Sequence, residues 1–164
     1  MDQTHILIFL IFGLNLLSIA LGTLATLARL IDPSGNSSHR ISSLWARWIC
    51  QWNEIRVEIQ GLEHISKEQA QIIVANHQSY FDIFVLSGYL PVQIRWVAKA
   101  SLFQIPFIGW AMWASRYIPV VRNNRGKAYR AFITITDRIK SGASVVIFPE
   151  GTRSENGKIG KFKK

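Results

Sequence analysis

From Ile6 to Ile31 the chain is almost continuously apolar, broken only by Asn15, Ser18, Thr23, Thr26 and Arg29. A bilayer span needs about 20 predominantly apolar residues, which the run supplies. The 164-residue chain is therefore expected to be one domain with a membrane-associated helix at its amino end. A cleaved signal peptide is the competing reading. It calls for a basic leader and a shorter core, whereas residues 1–5 carry Asp2 and no Lys or Arg. Hydropathy leaves open whether the helix crosses the bilayer or returns with its successor as a hairpin in one leaflet.

Asp32-Pro33-Ser34-Gly35 is turn chemistry, and Ser37 or Ser38 is placed to cap a second helix over residues 40–52. Leu44, Trp45, Trp48, Ile49 and Trp52 recur there at spacings of three and four, with Arg40 and Arg47 between them. Such a stripe suits a helix lying at headgroup level, and it equally suits one packed on the core. Arg29, Arg40, Arg47 and Arg56 all follow the apolar run and nothing basic precedes it, which predicts an inner (cytoplasmic) membrane protein with its main domain on the cytoplasmic side. The net charge of +9 favours anionic partners. The single cysteine, Cys50, excludes an internal disulfide and a thiolate-rich zinc site.

Beyond Asn53 the pattern changes, so residues 1–53 are set apart as membrane and interfacial helices and 54–164 as the main domain. Residues 55–59 alternate apolar and polar, as a half-exposed strand does. Short β-branched runs at 71–75, 93–98, 117–121 and 144–148 alternate with helical stretches at 79–90, 101–115 and 126–140. The helix at 126–140 is expected to bury Ala128, Ala131, Phe132, Ile135 and Ile139, and the one at 101–115 to break near Pro106 and Gly109. Strand–helix alternation predicts an α/β domain with a mixed, largely parallel sheet flanked by helices.

Three stretches carry chemistry, and each follows an apolar run. The first is Asn76-His77-Gln78-Ser79-Tyr80-Phe81-Asp82. An imidazole held by a carboxylate is a general base near neutral pH. Ser79 and Asp82 also fit a capping box, so Asp82 has both a cap and an orienter reading. The second is Phe148-Pro149-Glu150-Gly151-Thr152-Arg153-Ser154. Its glycine and threonine backbone donors and its arginine suit a phosphate or carboxylate, whereas Glu150 suits a hydroxyl or an arginine. The third is residues 118–125, where a strand end delivers Arg122 and Arg125. Arg122, directly after the apolar run, is the better ligand candidate. Open α/β sheets bind ligands at the carboxyl ends of their strands, where all three stretches fall.

Together these stretches resemble the glycerolipid acyltransferases, most of all their lysophosphatidic acid acyltransferase branch. Residues 76–82 match the family's His-x-x-x-x-Asp block, 148–154 match its Phe-Pro-Glu-Gly-Thr-Arg-Ser block in full, and 118–122 resemble the block between them that ends in arginine. The resemblance runs from about Leu44 to the last residue. It implies acyl transfer from an acyl-coenzyme A or acyl-carrier-protein thioester to the sn-2 hydroxyl of 1-acylglycerol 3-phosphate, giving phosphatidic acid. His77 would be the base and Asp82 its orienter, with Arg122, Glu150, Gly151, Thr152 and Arg153 in the acceptor site. The thioester is a co-substrate, and no cofactor or metal is implied. A fourth family block, a proline-containing strand, has no counterpart before Lys164, which implies that the carboxyl-terminal part of the family domain is missing. Acylation of another lysolipid or of glycerol 3-phosphate is the nearest alternative, and a non-catalytic membrane lipid-binding module is the alternative from another class. Nucleic acid is not an expected partner, because the aromatic stripe adjoins a membrane helix and no sheet face interleaves bases with aromatics. Ser79 lacks the Gly-x-Ser-x-Gly elbow of a serine hydrolase.

Overall fold

The computed structural model describes residues 3–121, 125–154 and 156–162, with side chains described from residue 13 onward except at 14, 125, 127 and 128. The apolar amino-terminal run is helical throughout, as α1 (Gln3–Ile31). Its hydroxyls turn back into the helix: Thr23 Oγ1 donates to the Ile19 carbonyl and Thr26 Oγ1 to that of Gly22. The most apolar part of the expected membrane segment, residues 6–12, has side chains outside the described set. Among the described residues, no helix is long and apolar enough to cross a membrane.

The turn after α1 is built by Asp32. Its carboxylate accepts the Ser34 N–H at 2.9 Å and the Ser37 N–H at 2.7 Å, so Asp32 satisfies the first turn of α2 (Asn36–Trp52). The expected Ser37 or Ser38 cap does not form. Ser38 is instead buried and donates through Oγ to the Ala25 carbonyl at 2.8 Å, locking α2 onto α1. The aromatic stripe of α2 divides: Ile49 is buried and Trp45 donates to Ser18 of α1, while Leu44, Trp48 and Trp52 remain about half exposed. The remaining elements are a short 3-10 turn (Leu62–His64), β1 (Ile72–Val74), α3 (Phe81–Tyr89), β2 (Ile94–Lys99), a second 3-10 turn (Ala100–Gln104), α4 (Ile108–Ala114), β3 (Ile118–Val120), α5 (Arg125–Lys140) and β4 (Ser144–Ile147). The 101–115 stretch breaks at residues 105–107, around Pro106 as expected, and Gly109 falls in the first turn of α4. A Cβ at Gly109 would lie 2.3 Å from the Phe103 carbonyl oxygen, so only glycine permits that junction.

The four strands form one sheet in the order β1-β4-β2-β3, and each described pairing is parallel. Alternate side chains serve opposite faces, as a sheet covered on both sides requires. Ile94 and Trp96 of β2 and Val146 of β4 join Phe103 and Tyr117 in one core, against Ile83 and Leu86 of α3. Val145 of β4 and Ile118 of β3 meet Ala131, Ile135 and Ile139 of α5 on the other face. Phe132, expected in that stripe, is 63% exposed. Three residues spaced by four suffice to cover the narrow α5 side of the sheet, and Phe132 lies about 100° round the helix from Ala131.

Residues 55–59 are not a strand. Their alternation appears in burial only as far as Glu58, with Ile55 and Val57 half-buried and Arg56 and Glu58 exposed; Ile59 is 43% exposed. Alternation selects a face, but a strand also needs a ladder partner, and among the described residues the segment has none.

The α1–α2 turn is tied to the sheet through Arg95 of β2, which is only 1% exposed. Its guanidinium donates to Asn36 Oδ1 at 2.6 Å and to the Ser34 carbonyl at 3.2 Å. Burial, with Arg138 and Arg116 nearby, lowers its pKa to about 10, so it stays charged. On α2, the buried His39 meets the Tyr117 hydroxyl through Nδ1 at 2.8 Å.

Candidate active site

Parallel pairing brings distant parts of the sequence together. β1 and β4 are neighbours in register, with Val74 opposite Ile147. The segments leaving their carboxyl ends, 75–82 and 148–154, therefore emerge side by side. Each apolar strand ends where polar residues begin, so its side chains reach solvent at the same edge of the sheet.

His77 is held from four directions. Its Nδ1 lies 2.8 Å from Asp82 Oδ2. Its ring stacks on Phe148 with centroids 4.0 Å apart and an interplanar angle of 8°, and Phe148 in turn stacks on Trp96. Its backbone N–H donates to Glu150 Oε1 at 3.0 Å, and its carbonyl accepts the Ser154 N–H at 2.7 Å. With Nδ1 engaged by a carboxylate, Nε2 is the nitrogen available to take a substrate proton.

Asp82 sits in the first turn of α3, and its Oδ2 also accepts the backbone N–H groups of Gln78 at 2.7 Å and Ser79 at 2.9 Å. Cap and orienter are thus one carboxylate oxygen. Ser79 Oγ contributes the complementary half by accepting the Phe81 N–H. Partial burial works to raise the Asp82 pKa, and the hydrogen bonds from Ser79, His77 and Gln78 outweigh it, so the carboxyl lies below its ordinary value and is ionised at neutral pH.

His77 opens into a cavity of about 820 Å³. Its walls are mainly apolar: Leu21 and Gly22 of α1, Trp45 and Ala46 of α2, Ile83 and Phe84 of α3, Trp96 of β2, and Ile108, Ala111 and Met112 of α4. Gly22 permits the close approach of α1 to the start of α4; a Cβ there would lie 3.0 Å from the Phe107 carbonyl oxygen. Gly151, Thr152, Arg153 and Lys99 line the same cavity.

Arg153 is exposed, donates to the Tyr80 hydroxyl at 2.8 Å and stacks over the Tyr80 ring with its guanidinium carbon 3.5 Å from the centroid. Glu150 is 2% exposed and its second oxygen accepts the Gly160 N–H at 2.8 Å. Arg122 lies outside the described residues. The strand before it, β3, ends with Val120 opposite Lys99 of β2. Among the described residues no group of three or more His, Cys, Asp or Glu side chains could hold a metal ion.

Lys99, Tyr80 and Phe148 were not anticipated as site residues. Lys99 was within reach of the strand-end argument: placing the end of that strand at 98 left out the cation that closes it. Tyr80 and Phe148 act through ring stacking, which no spacing reveals.

The family model for acyltransferases matches residues 56–164. The chloroplastic 1-acyl-sn-glycerol-3-phosphate acyltransferase LPAT1 of Arabidopsis thaliana is 37% identical over 137 residues, covering 82% of this chain and 38% of that protein. The 1-acyl-sn-glycerol-3-phosphate acyltransferase of Pseudomonas aeruginosa is 39% identical over 109 residues, 66% of this chain and 42% of that protein. The chain thus spans less than half the length of these curated relatives. The crystal structure of the 1-acyl-sn-glycerophosphate (LPA) acyltransferase PlsC from Thermotoga maritima is similar with a TM-score of 0.66 and 25% identity, over 93% of this chain and 67% of that one. With both motif blocks side by side on a fold of that kind, the chain belongs to the acyltransferase family.

Proposed function

We propose that the chain transfers an acyl group from an acyl-coenzyme A or acyl-carrier-protein thioester to the free sn-2 hydroxyl of 1-acylglycerol 3-phosphate, forming phosphatidic acid. The observation that carries this reading is the His77–Asp82 pair opening into an apolar cavity that is also lined by two exposed cations, Lys99 and Arg153. An aliphatic chain fits the apolar walls, and a phosphomonoester fits the cations.

His77 Nε2 takes the hydroxyl proton as the oxygen attacks the thioester carbonyl. The carbon–oxygen bond forms, the tetrahedral intermediate collapses with loss of the carbon–sulfur bond, and the imidazolium returns the proton to the departing thiolate. Asp82 fixes the tautomer and stabilises the imidazolium. Because a thioester is already activated, no covalent acyl-enzyme is needed. Gly151 and Thr152 supply polar contacts beside the arginine, and Arg122 adds a further cation for the phosphate.

The reaction takes place at a membrane, where acceptor and product reside. α1 packs against both α2 and α4, and all three leave large apolar side chains uncovered: Leu24 and Leu27 on α1, Trp48 and Trp52 on α2, Trp110 and Trp113 on α4. Tryptophans in that setting suit the headgroup layer, and the arginines that follow α1 support a cytoplasmic side for this layer.

The test is thiol release by the full-length protein, with each thioester offered against lysophosphatidate, glycerol 3-phosphate and lysophosphatidylcholine. Lysophosphatidate is expected to be the preferred acceptor. General-base catalysis contributes about 10²–10⁴-fold, so His77→Ala is expected to lose at least a hundredfold in rate. A variant retaining a tenth of the rate would refute the base assignment, and lysolipid binding without thioester consumption would leave a binding module.

A further inference from the structure

Its place in the Phe148–Ser154 block puts Glu150 among the acceptor-binding residues by resemblance. Its surroundings differ from that role in three ways. It is 2% exposed, while Gly151, Thr152 and Arg153 line the cavity and Glu150 does not. Both of its oxygens face backbone donors: Oε1 accepts the His77 N–H at 3.0 Å and Oε2 the Gly160 N–H at 2.8 Å. A carboxylate facing the acceptor phosphate would moreover repel it.

We propose that Glu150 is a positioning residue, an internal clamp that fixes the His77 peptide and joins it to the segment carrying Gly160, and that it makes no contact with the acceptor. With the Ser154 N–H holding the His77 carbonyl at 2.7 Å, the backbone of the base is gripped on both sides by the 150–154 segment. The side chain is oriented separately by Asp82 and Phe148. Motif proximity then has a mechanical purpose: one block supplies the base and the other holds its main chain. Gly160 belongs to the same device, because a Cβ there would lie 2.9 Å from Glu150 Oε2, and the next two nearest atoms it would meet are Glu150 carbons at 3.7 Å. The catalytic consequence rests on the reading of His77 as the base; the clamp itself does not.

The experiment compares Glu150→Gln, Gly160→Ala and the double variant in the full-length protein. Glutamine keeps the shape but turns an amide NH₂ toward one backbone N–H, leaving a buried donor without an acceptor. Small misplacements of a catalytic group cost up to about 10²-fold, so Glu150→Gln is expected to lower kcat by about 10- to 100-fold with the acceptor KM within about twofold. Gly160→Ala should act in the same direction, and the double variant should lose less than the product of the two single losses. An acceptor KM raised tenfold at unchanged kcat would overturn the proposal and return Glu150 to the acceptor site. Amide hydrogen exchange supplies a readout that needs no turnover. The His77 and Gly160 amides should exchange faster in Glu150→Gln than in the parent, and unchanged exchange refutes the clamp. If Glu150→Gln does not fold, Gly160→Ala decides: faster exchange at His77 supports the clamp and unchanged exchange sinks it. A parent protein that consumes no thioester refutes the proposed function and leaves the exchange result to judge the clamp.

Discussion

Replacing Asp82 with asparagine separates the two duties that one oxygen performs. Oδ2 accepts three hydrogen bonds, from the His77 ring at 2.8 Å, the Gln78 N–H at 2.7 Å and the Ser79 N–H at 2.9 Å. Asparagine can still offer one oxygen to them, so geometry survives and charge is lost. A hydrogen bond to a charged group is worth about 1.5–3 kcal/mol against about 0.5–1.5 for a neutral one, a difference of about 1 kcal/mol for each donor. A carboxylate in the first helical turn adds about 0.3–1 kcal/mol. After discounting for partial exposure, Asp82→Asn is expected to destabilise the fold by about 2–3 kcal/mol, measured by urea unfolding at pH 7. The pH dependence follows from the lowered Asp82 pKa. A carboxyl depressed in the folded state contributes stability that is complete above its unfolded pKa and is lost as pH falls through the folded one. The gap between parent and variant should therefore close in acid. Activity should suffer more than stability, since an amide can hold the wrong imidazole tautomer; a loss of about 10³–10⁴-fold in kcat is expected. A stability gap that persists below the carboxylate range would show that the charge is not its source. Activity within tenfold of the parent would refute the orienting role.

Three further outcomes are expected. Arg153→Ala removes a charged hydrogen bond worth about 1.5–3 kcal/mol and should raise the acceptor KM by about 10- to 150-fold with little change in kcat, read from acceptor titrations. Trp48→Ala with Trp52→Ala should weaken sedimentation with anionic phospholipid vesicles far more than it lowers thermal unfolding, because both rings are about half exposed and neither is among the buried core residues. His39 is buried and its pKa is driven down to about 3, first by burial and then by Arg95. It stays neutral when folded and becomes protonated on unfolding below about pH 6.5. It therefore costs stability as pH falls from that value, at about 1.4 kcal/mol per unit, until the folded group itself titrates. His39→Gln should flatten urea-unfolding stability between pH 6 and 4.

The strands of this fold were legible because each is a short β-branched run closed by polar residues, and the two motif blocks were legible because each follows such a run. Their convergence could be anticipated from parallel pairing, but which strands are neighbours could not: β4 inserts between β1 and β2, and nothing local to Ser144–Ile147 announces it. Residues 55–59 show the opposite limit, with a burial alternation that lapses at Ile59 and no ladder. The Asp32 cap escaped notice because Ser37 and Ser38 satisfy the same local rule. Ser38 was drawn away by a tertiary partner, Ala25, thirteen residues earlier. Glu150 was chemically ambiguous in the sequence, since a carboxylate can accept from any donor, and only burial shows that its donors are backbone.

α1 was introduced as an attachment to a membrane, yet Ser18, Leu21 and Gly22 form part of the wall facing His77. Ser38 and Arg95 extend that involvement by binding the helical pair to the sheet. Modular engineering meets an obstacle here. A water-soluble version cut at residue 54 would unroof the cavity, strand a buried guanidinium and expose the Tyr117 hydroxyl that His39 covers. Redesign for solubility has to change the outward-facing leucines and tryptophans in place, because α1 and α2 belong to the same packed body as the sheet.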